Sequence, residues 1–252
     1  MENLKEYLPQ NLSGKKVLIT GGTKGIGKAT ALLLAAQGAE IFIFGRNESD
    51  LTETLDTVRK KNPEARINGL AADVSKKEDI AKVFKEADAQ LGHLDILINN
   101  AALGINGVEE AGHDDIDYVI STNLTGYLSC ANEAISRMKP LKSGHIVNIG
   151  SMSAHTKEKD SSVYVATKSG IRGFSESLRK EINEYGIKVT LIEPGAVATP
   201  MQQLSQEEEQ EKIEDQEMLV AQDIAVAVLY TLSQPKRCDV VSLQIRPHLQ
   251  TI

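Results

Sequence analysis

The stretch Lys16-Val17-Leu18-Ile19-Thr20-Gly21-Gly22-Thr23-Lys24-Gly25-Ile26-Gly27 decides the fold. An apolar, mostly β-branched run ends in Thr20 and breaks into glycines. Beyond them Ala29, Leu32, Leu33 and Ala36 recur at helical spacing. Strand, glycine turn and helix in that order are what a dinucleotide-binding turn requires. Gly21 permits the tight turn, Gly25 lets the backbone approach a phosphate, and Gly27 lets helix and strand pack. Thr23 and Lys24 lie inside the turn and become candidate cofactor contacts. The anion would sit at the helix N-terminus, where N–H groups and the dipole favour negative charge. The spacing is Gly-x-x-x-Gly-x-Gly rather than the commoner Gly-x-Gly-x-x-Gly.

Outward from this turn, the chain alternates strand and helix without a break. Strands are predicted at residues 40–44, 66–71, 94–98, 144–150, 188–192 and 240–245. Helices are predicted at 49–61, 75–91, about 114–138, around Tyr164 and at 223–233. No repeat or low-complexity linker interrupts them, so residues 1–252 read as one α/β domain. Its core is a doubly wound parallel sheet of about seven strands with helices on both faces. The Gln/Glu-rich stretch at about 200–220 reads as a solvated, mobile lid.

At 252 residues the chain is long enough to bury a core without staples. A net charge of −7 argues against a nucleic-acid or anionic-membrane surface. Cys130 and Cys238 lack metal or Cys-x-x-Cys spacing and read as buried fillers in a reducing compartment. The five histidines are scattered, so no metal site is expected; His155 reads as a solvated loop residue. The opening residues show no signal-peptide core and no run reaches membrane-span length, so a cytoplasmic location is expected.

The strand at 40–44 runs into Gly45-Arg46-Asn47, with no carboxylate where an NAD-type ribose contact would stand. The planar fork of Arg46 suits a 2′-phosphate, and Lys24 would add a second cation there. NADP(H) is therefore favoured over NAD(H), with Asn47 as an adjoining contact. Asp73-Val74 follows the next strand, where open α/β sheets bind ligands. Asp73 either accepts from the adenine amino group or caps the helix that follows. Asn99-Asn100-Ala101-Ala102 ends the fourth strand, and its amides would tie neighbouring strands and bracket a ribose.

Ser151 ends the fifth strand, and Tyr164 and Lys168 follow four apart on one helical face. Reducing a ketone requires a proton for the developing alkoxide. Tyr164 can supply it once a nearby lysine lowers a phenol pKa that is otherwise about 10. Ser151 would hold the substrate oxygen. The loop at about 152–163 would wall the substrate site.

Taken together, these motifs resemble the short-chain dehydrogenase/reductase family in its compact single-domain, Rossmann-type branch. The matching residues are Thr20-Gly21, Gly25-Ile26-Gly27, Asn99-Asn100-Ala101, Asn123, Ser151, Tyr164-x-x-x-Lys168, and Pro194-Gly195 with Thr199. The resemblance implies a catalytic set of Asn123, Ser151, Tyr164 and Lys168, with Asn123 holding a water that links Lys168 to solvent. It also implies that Lys168 binds the nicotinamide ribose, that Ile26, Asn100, Val197 and Thr199 line the cofactor with Pro194 and Gly195 alongside, and that the protein is a homotetramer or homodimer. The expected reaction moves a hydride between NADPH and a small ketone or secondary alcohol. A 3-oxoacyl-carrier-protein reductase is the alternative, weakened by a C-terminus without Asp-Gly-Gly. A non-catalytic NADP-binding regulator is the alternative from another class.

Overall fold

The computed structural model describes residues 9–202 and 204–250; the first eight residues of the lead-in lie outside them. Seven strands form one parallel sheet in the order β3-β2-β1-β4-β5-β6-β9. They are β1 (Lys16–Thr20), β2 (Glu40–Gly45), β3 (Ile67–Ala71), β4 (Ile96–Asn99), β5 (Gly144–Ile149), β6 (Ile187–Pro194) and β9 (Ser242–Ile245). The order reverses between β1 and β4, which pair Val17 with Ile96 and Ile19 with Ile98. At such a reversal the connections leave in opposite directions and open a crevice beyond the strands' carboxyl ends.

Period-two alternation feeds both faces of each strand. Val17 and Ile19 pack with Leu34 of α1 (Gly25–Ala36), Val58 of α2 (Glu48–Lys61) and Val228 of α9 (Ala221–Leu232). Leu18 points the other way, toward Phe84 of α3 (Lys77–Leu91), Ala134 of α5 (Gly126–Met138) and Leu178 of α7 (Ser162–Ile182). Helices therefore cover both faces.

Several elements differ from the sequence reading. The helix predicted at about 114–138 is α4 (His113–Ile120) and α5, joined by a π-helical turn at Ser121–Thr125 that carries Asn123. The cap of α2 is Asn47, whose Oδ1 accepts from the Ser49 and Asp50 backbone N–H groups. Asp73 does not cap α3. It closes a turn onto Ser75, and Lys76 occupies the N-cap position. The substrate loop contains a short helix, α6 (Ser153–Thr156). The stretch expected as a lid contains α8 (Gln206–Glu214), started by a Ser205–Glu208 capping box, and β8 (Leu219–Val220), which pairs in parallel with β7 (Val197–Ala198).

Candidate active site

The carboxyl ends of β1 and β4 hold the first half of the site. Gly21 and Gly25 adopt left-handed φ values of +62° and +50°, which only glycine takes readily. Lys24, the N-cap of α1, makes no side-chain cap bond, and the first turn carries no acid. The leading N–H groups of α1 and its positive dipole end therefore face the turn without a side chain of the cap to neutralise them. A Cβ on Gly25 would come within 3.3 Å of Thr199, so the chain after Pro194 closes over the turn. Asn100 fastens the turn to β4. Its Nδ2 donates to the carbonyls of Thr20 and Gly21, and the Thr20 hydroxyl accepts from the N–H groups of Asn100 and Ala101. An uncapped helix start inside a glycine cradle fits a pyrophosphate.

At the β2–β3 end, Arg46 donates to the Tyr118 hydroxyl (2.7 Å), which donates to Asp73 Oδ2 (2.9 Å). Tyr118, on α4, gave no sign of this in the sequence, because the partners lie far apart along the chain. Burial pushes Asp73 up, but hydrogen bonds from Ser75 and Tyr118 and the Arg46 charge outweigh it and hold the carboxylate below its usual range. Lys24 is not a free second cation, since its ammonium pairs with Asp50 at 2.8 Å. Val74 is buried against Gly126, and Val197 is buried in its pairing with Leu219. Thr23 receives the Thr54 hydroxyl on its carbonyl.

Strand β5 and helix α7 carry the second half. The structure brings Ser151, Tyr164 and Lys168 together: the Ser151 hydroxyl, which donates to Ser153 Oγ at 3.1 Å, lies near enough to the Tyr164 phenol to favour its ionised form, and the Lys168 ammonium lies 5.6 Å from that ring's centre. Burial raises the phenol and outweighs the influence of the Ser151 hydroxyl, so Tyr164 sits above its ordinary value rather than below it. Lys168 is almost wholly buried, donates to the Ile149 carbonyl (3.0 Å) and is pushed down to about 7 by desolvation. The backbone locks this half to the β6 end through Gly150 N–H to Ile192 O (2.7 Å) and Met152 N–H to Pro194 O (2.8 Å). Gly195 N–H in turn donates to Ile245 O.

Asn123 is buried in the π-helical turn. Its side-chain amide makes a reciprocal pair with the backbone of Leu103, accepting from N–H and donating to C=O, both at 2.8 Å. The side chain thus secures the loop after β4 to the helix. His155 is not a solvated loop residue: its Nε2 lies 2.9 Å from Oε1 of the buried Glu193. An acid at the end of the apolar run Val189-Thr190-Leu191-Ile192-Glu193 was the available sign that a partner was needed. Cys130 is buried as expected, whereas Cys238 is exposed. No group of three metal-ligating side chains occurs among the described residues.

A family model for short chain dehydrogenases matches residues 15–210. An oxidoreductase of Staphylococcus aureus, itself uncharacterised, is 35% identical over 237 residues, covering 94% of this chain and 98% of that protein. A metagenomic short-chain oxidoreductase solved with NADP superposes with a TM-score of 0.81 at 25% identity, covering 96% of this chain and all of that one. A 3-ketoacyl-(acyl-carrier-protein) reductase of Brucella melitensis, solved with NADH, gives 0.84 at 25% identity over 94% of this chain and 98% of that one. The chain belongs to the short-chain dehydrogenase family. It is an oxidoreductase acting on CH–OH or C=O groups with a nicotinamide cofactor.

Proposed function

We propose that the protein is an NADPH-dependent reductase of a small ketone, or in reverse a secondary-alcohol dehydrogenase. The observation that carries this reading is the convergence of Ser151, Tyr164 and Lys168 at the carboxyl end of the same parallel sheet that carries the uncapped start of α1. Gly21, Thr23, Lys24, Gly25, Ile26 and Gly27 would hold the pyrophosphate region. Arg46 and Asn47 would meet the adenosine ribose and its phosphate, while Asp73 and Val74 border the adenine. Asn100, Ala101, Pro194, Gly195, Val197 and Thr199 would flank the remainder, and Lys168 would reach the nicotinamide ribose. The cofactor supplies the hydride and, when oxidised, a positive charge that favours tyrosinate.

This chain's own residues handle the proton. Ser151 holds the substrate oxygen, Tyr164 gives its proton to the alkoxide, and Lys168 restores the phenol. Asn123, whose side chain secures the Leu103 loop to the π-helical turn, would hold the water that links Lys168 to solvent. Residues 152–163 and about 200–220 would shape the substrate pocket. Exposed Ile120 and Leu128, on the helices flanking the π-helical turn, support a homo-oligomer, a tetramer by family resemblance. No helix among the described residues is long and apolar enough to cross a membrane. A cytoplasmic site of action is part of the proposal.

Fluorescence titration with NADPH and NADH, followed by a carbonyl screen, tests the reading. Wild-type turnover with NADPH that is lost in Tyr164→Phe, with binding retained, supports it. A Tyr164→Phe protein that keeps its full function would point instead to a nucleotide-binding regulator. Preference for an acyl-carrier thioester over small ketones would move the assignment to the 3-oxoacyl reductases.

A further inference from the structure

The Lys168 ammonium is enclosed by more than Tyr164. Tyr127, on α5, is fully buried, and Lys168 Nζ lies over its ring at 5.5 Å from the centroid, against 5.6 Å for Tyr164. The Tyr127 hydroxyl donates to the Ile149 carbonyl at 3.1 Å, the same oxygen that accepts from Lys168 at 3.0 Å. The ammonium is therefore anchored on one carbonyl between two aromatic rings. The tyrosine that fixes this carbonyl also forms one of the walls.

We propose that Tyr127 is a positioning residue for the Tyr164–Lys168 pair, its ring stabilising the buried ammonium and its hydroxyl holding the Ile149 carbonyl to which that ammonium is bonded. A cation over a desolvated ring is attracted by the negative π face. Desolvation works in the opposite direction and pushes Lys168 down to about 7, so any cation-favouring contact decides how much ammonium survives at neutral pH. Only the ammonium can stabilise a tyrosinate and return its proton. Tyr127 itself stays protonated, because burial pushes its phenol well up. The other groups bearing on the slot are Cys130 on α5, which burial holds as a thiol, and Glu158 before α7, which raises Tyr164.

The inference rests on the proposed role of Lys168, but its test requires no turnover. Lysines labelled with carbon-13 at Cε are titrated by NMR, and the Lys168 signal is identified by its loss in Lys168→Met. Tyr127→Phe keeps the ring but frees the Ile149 carbonyl, and should move the Lys168 midpoint by less than a ring-altered protein does. Tyr127→Met fills the space without a π face and should lower the midpoint by roughly half to one unit. If the Met variant does not fold, pentafluorophenylalanine at position 127 keeps the shape, reverses the ring quadrupole and should lower the midpoint likewise. An unchanged midpoint in the ring-altered protein, or equal shifts in the Phe and ring-altered proteins, overturns the proposal. Failure of the oxidoreductase reading would instead show as a wild-type protein without turnover, whatever the NMR midpoints.

Discussion

Replacing Gly27 with alanine tests the phosphate cradle most directly. A Cβ there would lie 2.2 Å from the Gly21 carbonyl oxygen, 2.9 Å from its carbon and 2.7 Å from Asn100 Nδ2. Two of these atoms are backbone and the third is held by bonds to Thr20 and Gly21, so no flexible group can yield. Overpacking of this kind costs about 1–3 kcal/mol. Losing the Asn100–Gly21 hydrogen bond adds about 1 kcal/mol. Together they correspond to a fall in Tm of roughly 4–16 °C for a chain of this size. Gly173, inside α7 with nothing within 4 Å of its would-be Cβ, is the control. Gly173→Ala should hold or raise Tm, because alanine is favoured over glycine in a helix by about 0.5–1 kcal/mol. Scanning calorimetry measures both, and NADPH fluorescence should show binding weakened tenfold or more in Gly27→Ala alone. A Gly27→Ala protein with wild-type Tm and wild-type binding would refute the cradle geometry.

Arg46→Ala should weaken NADPH binding by about tenfold or more, as loss of a hydrogen bond to a charged group predicts, while NADH affinity changes little; paired titrations measure the difference. Lys168→Met should abolish turnover yet stabilise the fold. The lysine is depressed from 10.5 to about 7 in the folded protein, so the unfolded chain binds more protons between those values and wild-type stability rises with pH across that window. Urea midpoints at pH 7 and near pH 10 should therefore show the variant's gain largest at the lower pH. Buried His145 is pushed down to about 4 by desolvation, helped by Lys188, so its contribution is complete above pH 6.5 and lost as pH falls toward 4. His145→Gln should flatten the acid limb of an unfolding curve between those values.

The elements that the sequence made legible were those whose burial is dictated locally. Strands β1, β2 and β5 are nearly continuous apolar runs, whereas in α1 the spacing marked the helix but not its buried face, which is Ala31, Leu34 and Ala35 rather than Leu32, Leu33 and Ala36. The π-helical turn was not legible, because no propensity marks an i→i+5 turn. It is braced instead by Asn123 reaching back twenty residues to Leu103. Strands β7 and β8 have two residues each, too few for any period to show. Within the candidate site, the grouping of Ser151, Tyr164 and Lys168 was readable because the proposed chemistry restricts their type and spacing. Tyr118 and Tyr127 were not, since each earns its place by a contact made across 45 and 22 residues of chain. Burial also reversed one expectation. The environment that brings Lys168 to Tyr164 removes enough water to raise the phenol rather than lower it.

The position of β1 also governs how a nascent chain can fold. Its two neighbours are β2, which follows almost at once, and β4, which begins eighty residues after β1 does. With residues 16–45 out of the ribosome, β1 and β2 can pair and α1 can cover one face, but the other edge of β1 stays open. At about 5–20 residues per second, the next fifty or so residues leave that apolar edge unpaired for several seconds. A sheet built outward from its middle strand thus passes through an edge-exposed intermediate on every round of synthesis, and this interval is when misassembly or chaperone capture would occur.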